Sequence, residues 1–548
     1  MPTRQQWEDE LSQSLITCAQ YDALSEEVKA EGFEGELAFG TAGIRGKIGL
    51  GPNRLNRFTV QKVAYGLSQY LNETADSSSV VIAYDTRHFS PEFSDEIATV
   101  LASNGIKTYI YDRYHTTPEL SYSVRHLKTD AGVMITASHN PPEYNGIKIY
   151  GPDGGQLALE GSKKVSQYID QINDELKIDV KDMDDLKSEN LIVPVPDEVV
   201  SSYKKEVTDL IQEIPSSDLK VVFSSLHGTS VPIVPDILEA VGFTNFQLVD
   251  AQCKPDADFS SVKSANPEDH DAFDMAVELG QEVQADLLIA TDPDADRMGV
   301  VALHEGEYHY FNGNQLGSLL LNYRIQQTED IQNRAAVKSI VTSELGKVIA
   351  EKNNVKMFDV LTGFKFIAEK IAEFEASHDY HYIFGYEESY GYMASPFVRD
   401  KDAVQIVPLI IKLASQLKNE GKTLVDQMNE IYENYGHYQE KLFAHTFEGQ
   451  SGKDKIQSIM QEARTNAPSE IAGLKVIATE DYLKQERVDD EGRHRIDLPQ
   501  ADVLKFFFED GWIALRPSGT EPKIKLYVSL ITDDIEAISQ KINTIFFS

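Results

Sequence analysis

Apolar and polar positions along the chain fall into a repeated β-α-β-α-β rhythm, in which short apolar runs alternate with amphipathic stretches. In the first unit the pattern predicts a strand over Val80–Tyr84, a helix over Pro91–Asn104 closed by Gly105, a strand over Lys107–Tyr111, a helix over Pro118–Leu127 and a buried strand over Gly132–Thr136. The second unit repeats the order with Lys220–Ser224, Val231–Val241, Phe246–Val249, His270–Val283 and Asp286–Ala290. A third offers Val337–Thr342, Ser343–Asn353, Met357–Leu361, Thr362–Phe374 and His381–Phe384, followed by a long helix over about 402–419. After Gly436 the pattern changes to α+β, with strands over Trp512–Arg516 and Lys523–Ser529 and a closing helix over about 533–545. The expected linkers are Lys181–Asp197, the region around Phe311–Asn314, and the Asn434–Tyr438 neighbourhood.

This organisation places three related α/β domains at 1–200, 201–313 and 314–436, and a smaller α+β domain at 437–548. The length of 548 residues agrees with three or four domains at about 150 residues each. With 51 basic against 88 acidic residues the net charge is −37, which argues against an extended nucleic-acid surface but not against a small cationic pocket. Only Cys18 and Cys253 occur, too few for a disulfide framework and without zinc-ligand spacing, so a reducing compartment is expected. The first ten residues lack the apolar core of a signal peptide, and no run of about 18 apolar residues appears, so the expectation is a cytoplasmic chain with no membrane partner.

Each third strand of a unit runs into a polar loop, and in open α/β sheets ligands collect beyond the carboxyl ends of strands. The first loop, Thr136-Ala-Ser-His-Asn-Pro-Pro-Glu-Tyr-Asn-Gly-Ile-Lys148, holds the Ser138 hydroxyl on a stiff turn with nitrogen donors beside it. That pattern suits a nucleophile, and it suits a Ser/Asn turn cap equally. The second loop, Thr291-Asp-Pro-Asp-Ala-Asp-Arg297, brings carboxylates at alternate positions to one side, a set of hard oxygen ligands suited to magnesium, with Arg297 placed to reach phosphate. An EF-hand is excluded, since Arg297 and Leu303 stand where that motif needs Gly and Glu.

The third loop, Phe384-Gly-Tyr-Glu-Glu-Ser-Tyr-Gly391, offers carboxylates and a hydroxyl for sugar hydroxyls, or simply two glutamates in a turn. Arg399 and Lys401 add cations downstream, unless they pair with Asp400 and Asp402. The fourth segment, Arg516-Pro-Ser-Gly-Thr-Glu-Pro-Lys523, combines an Arg fork, two hydroxyls and backbone N–H groups around Gly519 into a phosphate nest, where a plain hairpin would need only turn formers. Near the start, Phe39-Gly-Thr-Ala-Gly-Ile-Arg-Gly46 is a glycine-rich segment carrying Arg45. Gly-x-Ser-x-Gly, Walker A and dinucleotide-binding fingerprints find no match in context.

These four loops, in this order, closely resemble the α-D-phosphohexomutase superfamily over nearly the whole chain. The resemblance implies three related α/β domains and a smaller C-terminal α+β domain around a central cleft. It implies that Ser138 carries a phosphoryl group and, with Asp292, Asp294 and Asp296, holds Mg2+; that Glu387 and Ser389 contact sugar hydroxyls; and that Arg516, Ser518, Gly519 and Thr520 grip the substrate phosphate. Arg297 and Lys401 are further substrate-binding candidates, and Lys148, Arg45 and His139 are candidates for acid–base work and charge neutralisation. Glu387-Glu388-Ser389 looks like the glucose-handling version of the sugar loop, and Gly40-Thr-Ala-Gly-Ile-Arg-Gly46 and Leu226-His-Gly-Thr-Ser230 are similar to the branch containing bacterial α-phosphoglucomutases and animal phosphopentomutase-type enzymes. The implied reaction interconverts glucose 1-phosphate and glucose 6-phosphate through a phosphoserine and glucose 1,6-bisphosphate, which doubles as activator. Mannose and pentose phosphates are the alternative small-molecule substrates.

Overall fold

The computed structural model describes residues 2–40, 43–75, 77–447, 449–518 and 523–547. They gather into two contact units: Met1–Asn312 with Tyr390–Thr423, and Gly313–Ser389 with Leu424–Ser548.

The first unit carries two sheets. One runs, in spatial order, Gly43–Lys47, Tyr144–Tyr150, Ala131–Ile135, Ser79–Tyr84, Lys107–Ile110 and Ile192–Pro194. Its central strands, Val-Val-Ile-Ala-Tyr and Ala-Gly-Val-Met-Ile, are apolar on both faces and fully buried, as parallel strands covered by helices must be. Helix Arg57–Thr74 packs on Ser90–Ser103 and Leu159–Asp170, while Thr117–Leu127 packs on Asp197–Ile211. Helix Ser90–Ser103 stops where Gly105 takes φ +82°, a conformation in which a Cβ would strain the backbone. The second sheet is ordered Glu307–Tyr310, Met298–His304, Leu287–Thr291, Val221–Ser224 and Phe246–Leu248, its first two pairings antiparallel and its last two parallel.

The second unit contains the parallel strands Lys356–Val360, Arg334–Ser339 and His381–Glu387. It also holds a seven-stranded antiparallel sheet that starts with Tyr438–Thr446, Lys523–Ile531, Gly511–Pro517 and Leu504–Phe508. Helices Gly449–Thr465 and Ile535–Phe547 pack on that sheet. The fold is α/β, with three α/β layers and a C-terminal α+β part. Among the described residues no helix is long and apolar enough to cross a membrane.

Several expected boundaries shift. Lys181–Asp197 is not a linker: it forms helix Met183–Ser188 and strand Ile192–Pro194, which completes the first sheet beside Lys107–Ile110. The region around Phe311–Asn314 is already helix from Gly313. Lys148, read as the end of a loop, sits on strand Tyr144–Tyr150, paired with Gly43 across the ladder. Helix His270–Val283 opens with a 3-10 turn, His270–Phe273. The long helix, Ala403–Asn419, follows the third group of strands in sequence but counts by its contacts with the first unit, where it packs on Asp197–Ile211 and Ile233–Ala240.

Candidate active site

Strand Ala131–Ile135 delivers Ser138 to the carboxyl edge of the first sheet with φ +52°. A non-glycine residue in that region costs on the order of 1–3 kcal/mol and persists only where neighbours enforce it. Here the Ser138 N–H donates to Thr136 Oγ1 at 2.8 Å, and its Oγ donates to Asp292 Oδ2 at 2.7 Å while lying 3.2 Å from His139 Nδ1. The Ser138 hydroxyl thus faces the aspartate loop. Arg45, on strand Gly43–Lys47, donates to Asn140 Oδ1 at 3.0 Å.

Strand Leu287–Thr291 ends in the acidic loop, where Asp292, Asp294 and Asp296 are all buried and each presents an oxygen within 4.8 Å of the others. Asp292 Oδ1 accepts from the N–H groups of Asp296 and Arg297 at 3.0 and 2.9 Å, folding the loop around its first carboxylate. The loop is clamped from outside. Thr229 donates through N–H and Oγ1 to Pro293 O at 2.9 and 3.0 Å, and Gly228 lies so close that a Cβ would come within 2.4 Å of Pro293 Cα. From the first sheet's layer, Thr117 donates through Oγ1 to Asp294 Oδ2 at 2.8 Å and through N–H to Asp294 O at 2.9 Å.

Two ammonium groups enter the same cluster. Lys148 Nζ lies 2.8 Å from Asp294 Oδ2 and 3.2 Å from Asp296 Oδ2; Lys401 Nζ lies 3.1 Å from Asp296 Oδ2 and 3.2 Å from Asp400 Oδ1. Asp400 is itself fixed by Tyr150 OH at 2.7 Å and Gln156 Nε2 at 3.1 Å. Arg297 pairs with Glu268, with its Nε 3.8 Å from Asp296 Oδ1.

Charge and burial set the protonation of the cluster. Burial, with Asp294 and Asp296 alongside, pushes the Asp292 carboxyl well above the usual carboxylate range. Burial also pushes Asp296 up, but Lys401, Lys148 and Arg297 outweigh it and hold this group ionised. Burial draws the Lys148 ammonium down, and the carboxylates of Asp294 and Asp296 more than reverse that, so the net shift is upward. Lys148 is therefore held as an ammonium rather than poised as a base. Burial, then Arg297 and Arg45, hold His139 well below the ordinary imidazole value.

The donor set fits a hard divalent cation. Among the described residues Asp294 Oδ1 and Asp296 Oδ1 are buried without a hydrogen-bond partner, and unpaired buried carboxylate oxygens beside a hydroxyl are what such an ion coordinates.

The remaining candidates lie in the second unit. Glu387 is buried, its Oε1 accepting from Gly363 N–H at 2.7 Å, and Glu388 Oε2 accepts from Ser339 Oγ and Thr342 Oγ1, both at 3.1 Å. Ser389 follows, partly exposed. Arg516 Nη1 donates to Tyr527 OH at 3.4 Å; burial lowers its pKa, but Tyr527, Glu388 and Glu387 together leave it raised. Ser518 closes the hairpin through its N–H to Lys523 O at 2.8 Å. Gly519 and Thr520, like Thr41 and Ala42, lie outside the described residues.

The structure thus joins Ser138, His139, Lys148, Arg45, the three aspartates, Arg297 and Lys401 within the first unit, and Glu387, Ser389, Arg516 and Ser518 within the second. Asp400, named from the sequence as a partner for Lys401, does pair with it, but sequence reasoning missed Thr117, Tyr150, Glu268 and the pair Asp85 and Arg87. Only the last two carried a signal, since Asp85-Thr-Arg87 follows an apolar strand as the other loops do.

Comparisons with known proteins agree with this layout. Four models of the phosphoglucomutase/phosphomannomutase family match in order: alpha/beta/alpha domain I at residues 36–175, domain II at 201–305, domain III at 312–435, and the C-terminal domain at 455–535. A phosphoglucomutase of Staphylococcus epidermidis is 55% identical over 545 residues, covering 99% of each chain, and one of Staphylococcus aureus is 54% identical over 547 residues, covering 99% of this chain and 98% of its own. Among solved structures, a putative phosphomannomutase from Thermus thermophilus aligns with TM-score 0.71 at 22% identity over 93% of this chain and 99% of its own. The Paramecium exocytosis-sensitive phosphoprotein parafusin, a phosphoglucomutase, aligns with TM-score 0.68 at 18% identity over 94% of each.

Proposed function

Because the chain belongs to the phosphoglucomutase/phosphomannomutase family, with all four family domains in order, we propose that it is a phosphoglucomutase interconverting α-D-glucose 1-phosphate and glucose 6-phosphate. The observation that carries the chemistry is Ser138 Oγ at 2.7 Å from Asp292, in a cluster whose other two carboxylates each keep a buried oxygen that accepts no hydrogen bond. The full-length relatives at 54–55% identity support glucose as the sugar. The family matches and the change of pattern after Gly436 favour domain limits near 200, 313 and 436.

O1 and O6 of one sugar are too far apart for direct transfer, so the phosphoryl group passes through the protein. Phospho-Ser138 gives its phosphoryl group to O6 of glucose 1-phosphate, the serine oxygen leaving as the new P–O bond forms. The resulting glucose 1,6-bisphosphate turns over and returns its O1 phosphoryl group to Ser138, releasing glucose 6-phosphate. Catalysis of such transfers rests on positioning and on neutralising the equatorial oxygens. Asp292, Asp294, Asp296 and a serine-borne oxygen would hold Mg2+, which when bound supplies that neutralisation.

Arg297, Arg45 and Lys148 add fixed positive charge, and Lys148 Nζ, held by two carboxylates, is positioned to stabilise rather than to accept a proton. His139 Nδ1, 3.2 Å from Ser138 Oγ and held neutral, is the group assigned to the proton of the accepting hydroxyl, with the Lys148 and Arg45 cations assigned to the charge that develops there. Glu387 and Ser389 are assigned to sugar hydroxyls, Lys401 to the substrate, and Arg516, Ser518, Gly519 and Thr520 to the phosphate not in transfer. Glucose 1,6-bisphosphate is the priming activator, sugar phosphates are the small-molecule partners, and the cytoplasm is the compartment.

Intact mass after incubation with glucose 1,6-bisphosphate and Mg2+ tests this. The wild-type chain gains one phosphoryl group, Ser138→Ala gains none, and isomerisation falls by at least about four orders of magnitude, the scale seen when a nucleophile is removed. Faster turnover of ribose or mannose 1-phosphate than of glucose 1-phosphate would reassign the substrate.

A further inference from the structure

Strand Ser79–Tyr84 runs at its carboxyl end into Asp85-Thr86-Arg87, and the Arg87 side chain is fully buried. Its guanidinium faces the serine loop from beneath. Nη2 donates to Ser138 O at 2.6 Å and to Asn140 O, and Nη1 donates to Pro141 O and Tyr144 O, both at 2.9 Å. Nε faces Asp85 Oδ2 at 3.4 Å. Asp85 Oδ1 in turn accepts from the Arg87 N–H at 3.0 Å and from Ser90 Oγ at 2.9 Å, so the base of the side chain is fixed as well as its tip. Above the guanidinium plane lies the ring of Phe259, 4.9 Å from centroid to Cζ, contributed by the layer that carries the aspartate loop.

We propose that Arg87 is a positioning residue for phosphoryl transfer: by holding the carbonyls of Ser138, Asn140, Pro141 and Tyr144 it keeps Ser138 in its left-handed conformation, with the hydroxyl on the aspartate cluster. Four carbonyls of one loop point at a single side chain, and a planar fork with five N–H donors can serve them all from one side, whereas an ammonium has three donors and no plane. The φ of +52° at Ser138 fixes the direction of its Cα–Cβ bond, hence of Oγ, and the carbonyl of that same residue accepts directly from Arg87 Nη2 at 2.6 Å. Arg87 acts through backbone alone.

This inference rests on the phosphoserine reading and deepens it. Arg87→Lys and Arg87→Met are to be compared with wild type by single-turnover phosphoryl uptake from glucose 1,6-bisphosphate, steady-state kinetics, Mn2+ affinity and thermal unfolding. For folded Arg87→Lys the expectation is a fall of about 30–100-fold in both phosphoryl uptake and kcat, the scale of a misplacement near 1 Å. KM for glucose 1-phosphate and the Mn2+ dissociation constant are expected to stay within about threefold of wild type, changes worth less than a kcal/mol. Arg87→Met is expected to be slower still.

Wild-type uptake in folded Arg87→Lys would overturn the proposal. So would KM and Mn2+ affinity deteriorating in step with kcat, which marks general collapse of the site, or loss of fold in both variants, which would make Arg87 purely architectural. If wild type itself takes up no phosphoryl group, the phosphoserine reading fails, and Arg87 with it.

Discussion

At Gly228 a single hydrogen atom separates a working loop from a distorted one. A Cβ there would meet the Pro293 backbone at 2.4–2.7 Å, and Pro293 O is the acceptor of both Thr229 bonds. Gly228→Ala is expected to shift the aspartate loop, weakening Mn2+ binding by at least tenfold and costing about 1–3 kcal/mol of stability; electron spin resonance titration and thermal unfolding would check both. At this scale much of the site was legible. The three aspartates lie in one contiguous segment, so their spacing points to a cation site, whereas the Ser138 loop suits a nucleophile and a turn cap equally and takes its role from the family resemblance. Arg87 lies 51 residues from the serine whose carbonyl it holds, and Tyr150 lies 250 residues from Asp400, distances over which no local pattern survives. Lys148 was legible as a cation, but its protonation depends on two carboxylates about 150 residues away, at separations of 146 and 148.

Among the elements, helix Ala403–Asn419 shows most directly how a local rule bends to its surroundings. Asp402 caps it by accepting from Gln405 N–H at 3.0 Å, while Tyr203 OH donates to both carboxylate oxygens at 2.9 Å. Burial nevertheless pushes this carboxyl up to about 7 from its ordinary 3.8. A raised carboxylate pKa means that the folded state favours the protonated form, so stability is greatest below the unfolded value and declines as pH rises through about 7. Asp402→Asn, which retains an acceptor but cannot ionise, is therefore expected to gain on wild type between pH 5 and pH 8, by a few kcal/mol at most. A melting-temperature difference that does not grow with pH over that range would contradict it.

The β-α-β-α-β rhythm was readable because buried parallel strands are unbroken apolar runs. Strand Ile192–Pro194 has three residues and helix Met183–Ser188 six, too short for either periodicity to register, so a sheet edge read as a linker. Strand Tyr144–Tyr150 was hidden for a different reason, because the motif that precedes it drew the whole segment into a loop.

For the molecule as a whole, buried charge joins layers where apolar contact alone would permit slippage. In the second unit Lys338 is fully buried, 2.7 Å from Asp359 and 3.4 Å from Glu344, while Lys505 on the C-terminal sheet donates to Ile340 O at 2.8 Å and sits 4.0 Å over the Trp512 ring. Burial pushes the Glu344 carboxyl up, but Lys338 and Lys505 overcome this and bring it down to about 2. Lys338→Met removes the ammonium shared by Asp359 and Glu344, which keep only the longer pairs with Lys347 and Lys505, and is expected to destabilise this unit by about 1–3 kcal/mol in denaturant unfolding.

The order in which the chain visits its two units has a consequence for biosynthesis. Residues up to Asn312 belong to the first unit, yet that unit is finished only by Tyr390–Thr423. Lys401, whose ammonium lies 3.1 Å from Asp296, leaves the ribosome about a hundred residues after its partner, on the order of ten seconds later at ~5–20 residues per second. A nascent chain released at residue 312 would lack that counter-charge and the helix that follows it, so such a fragment is expected to be captured by chaperones or to precipitate, as pulse-labelled translation intermediates would reveal.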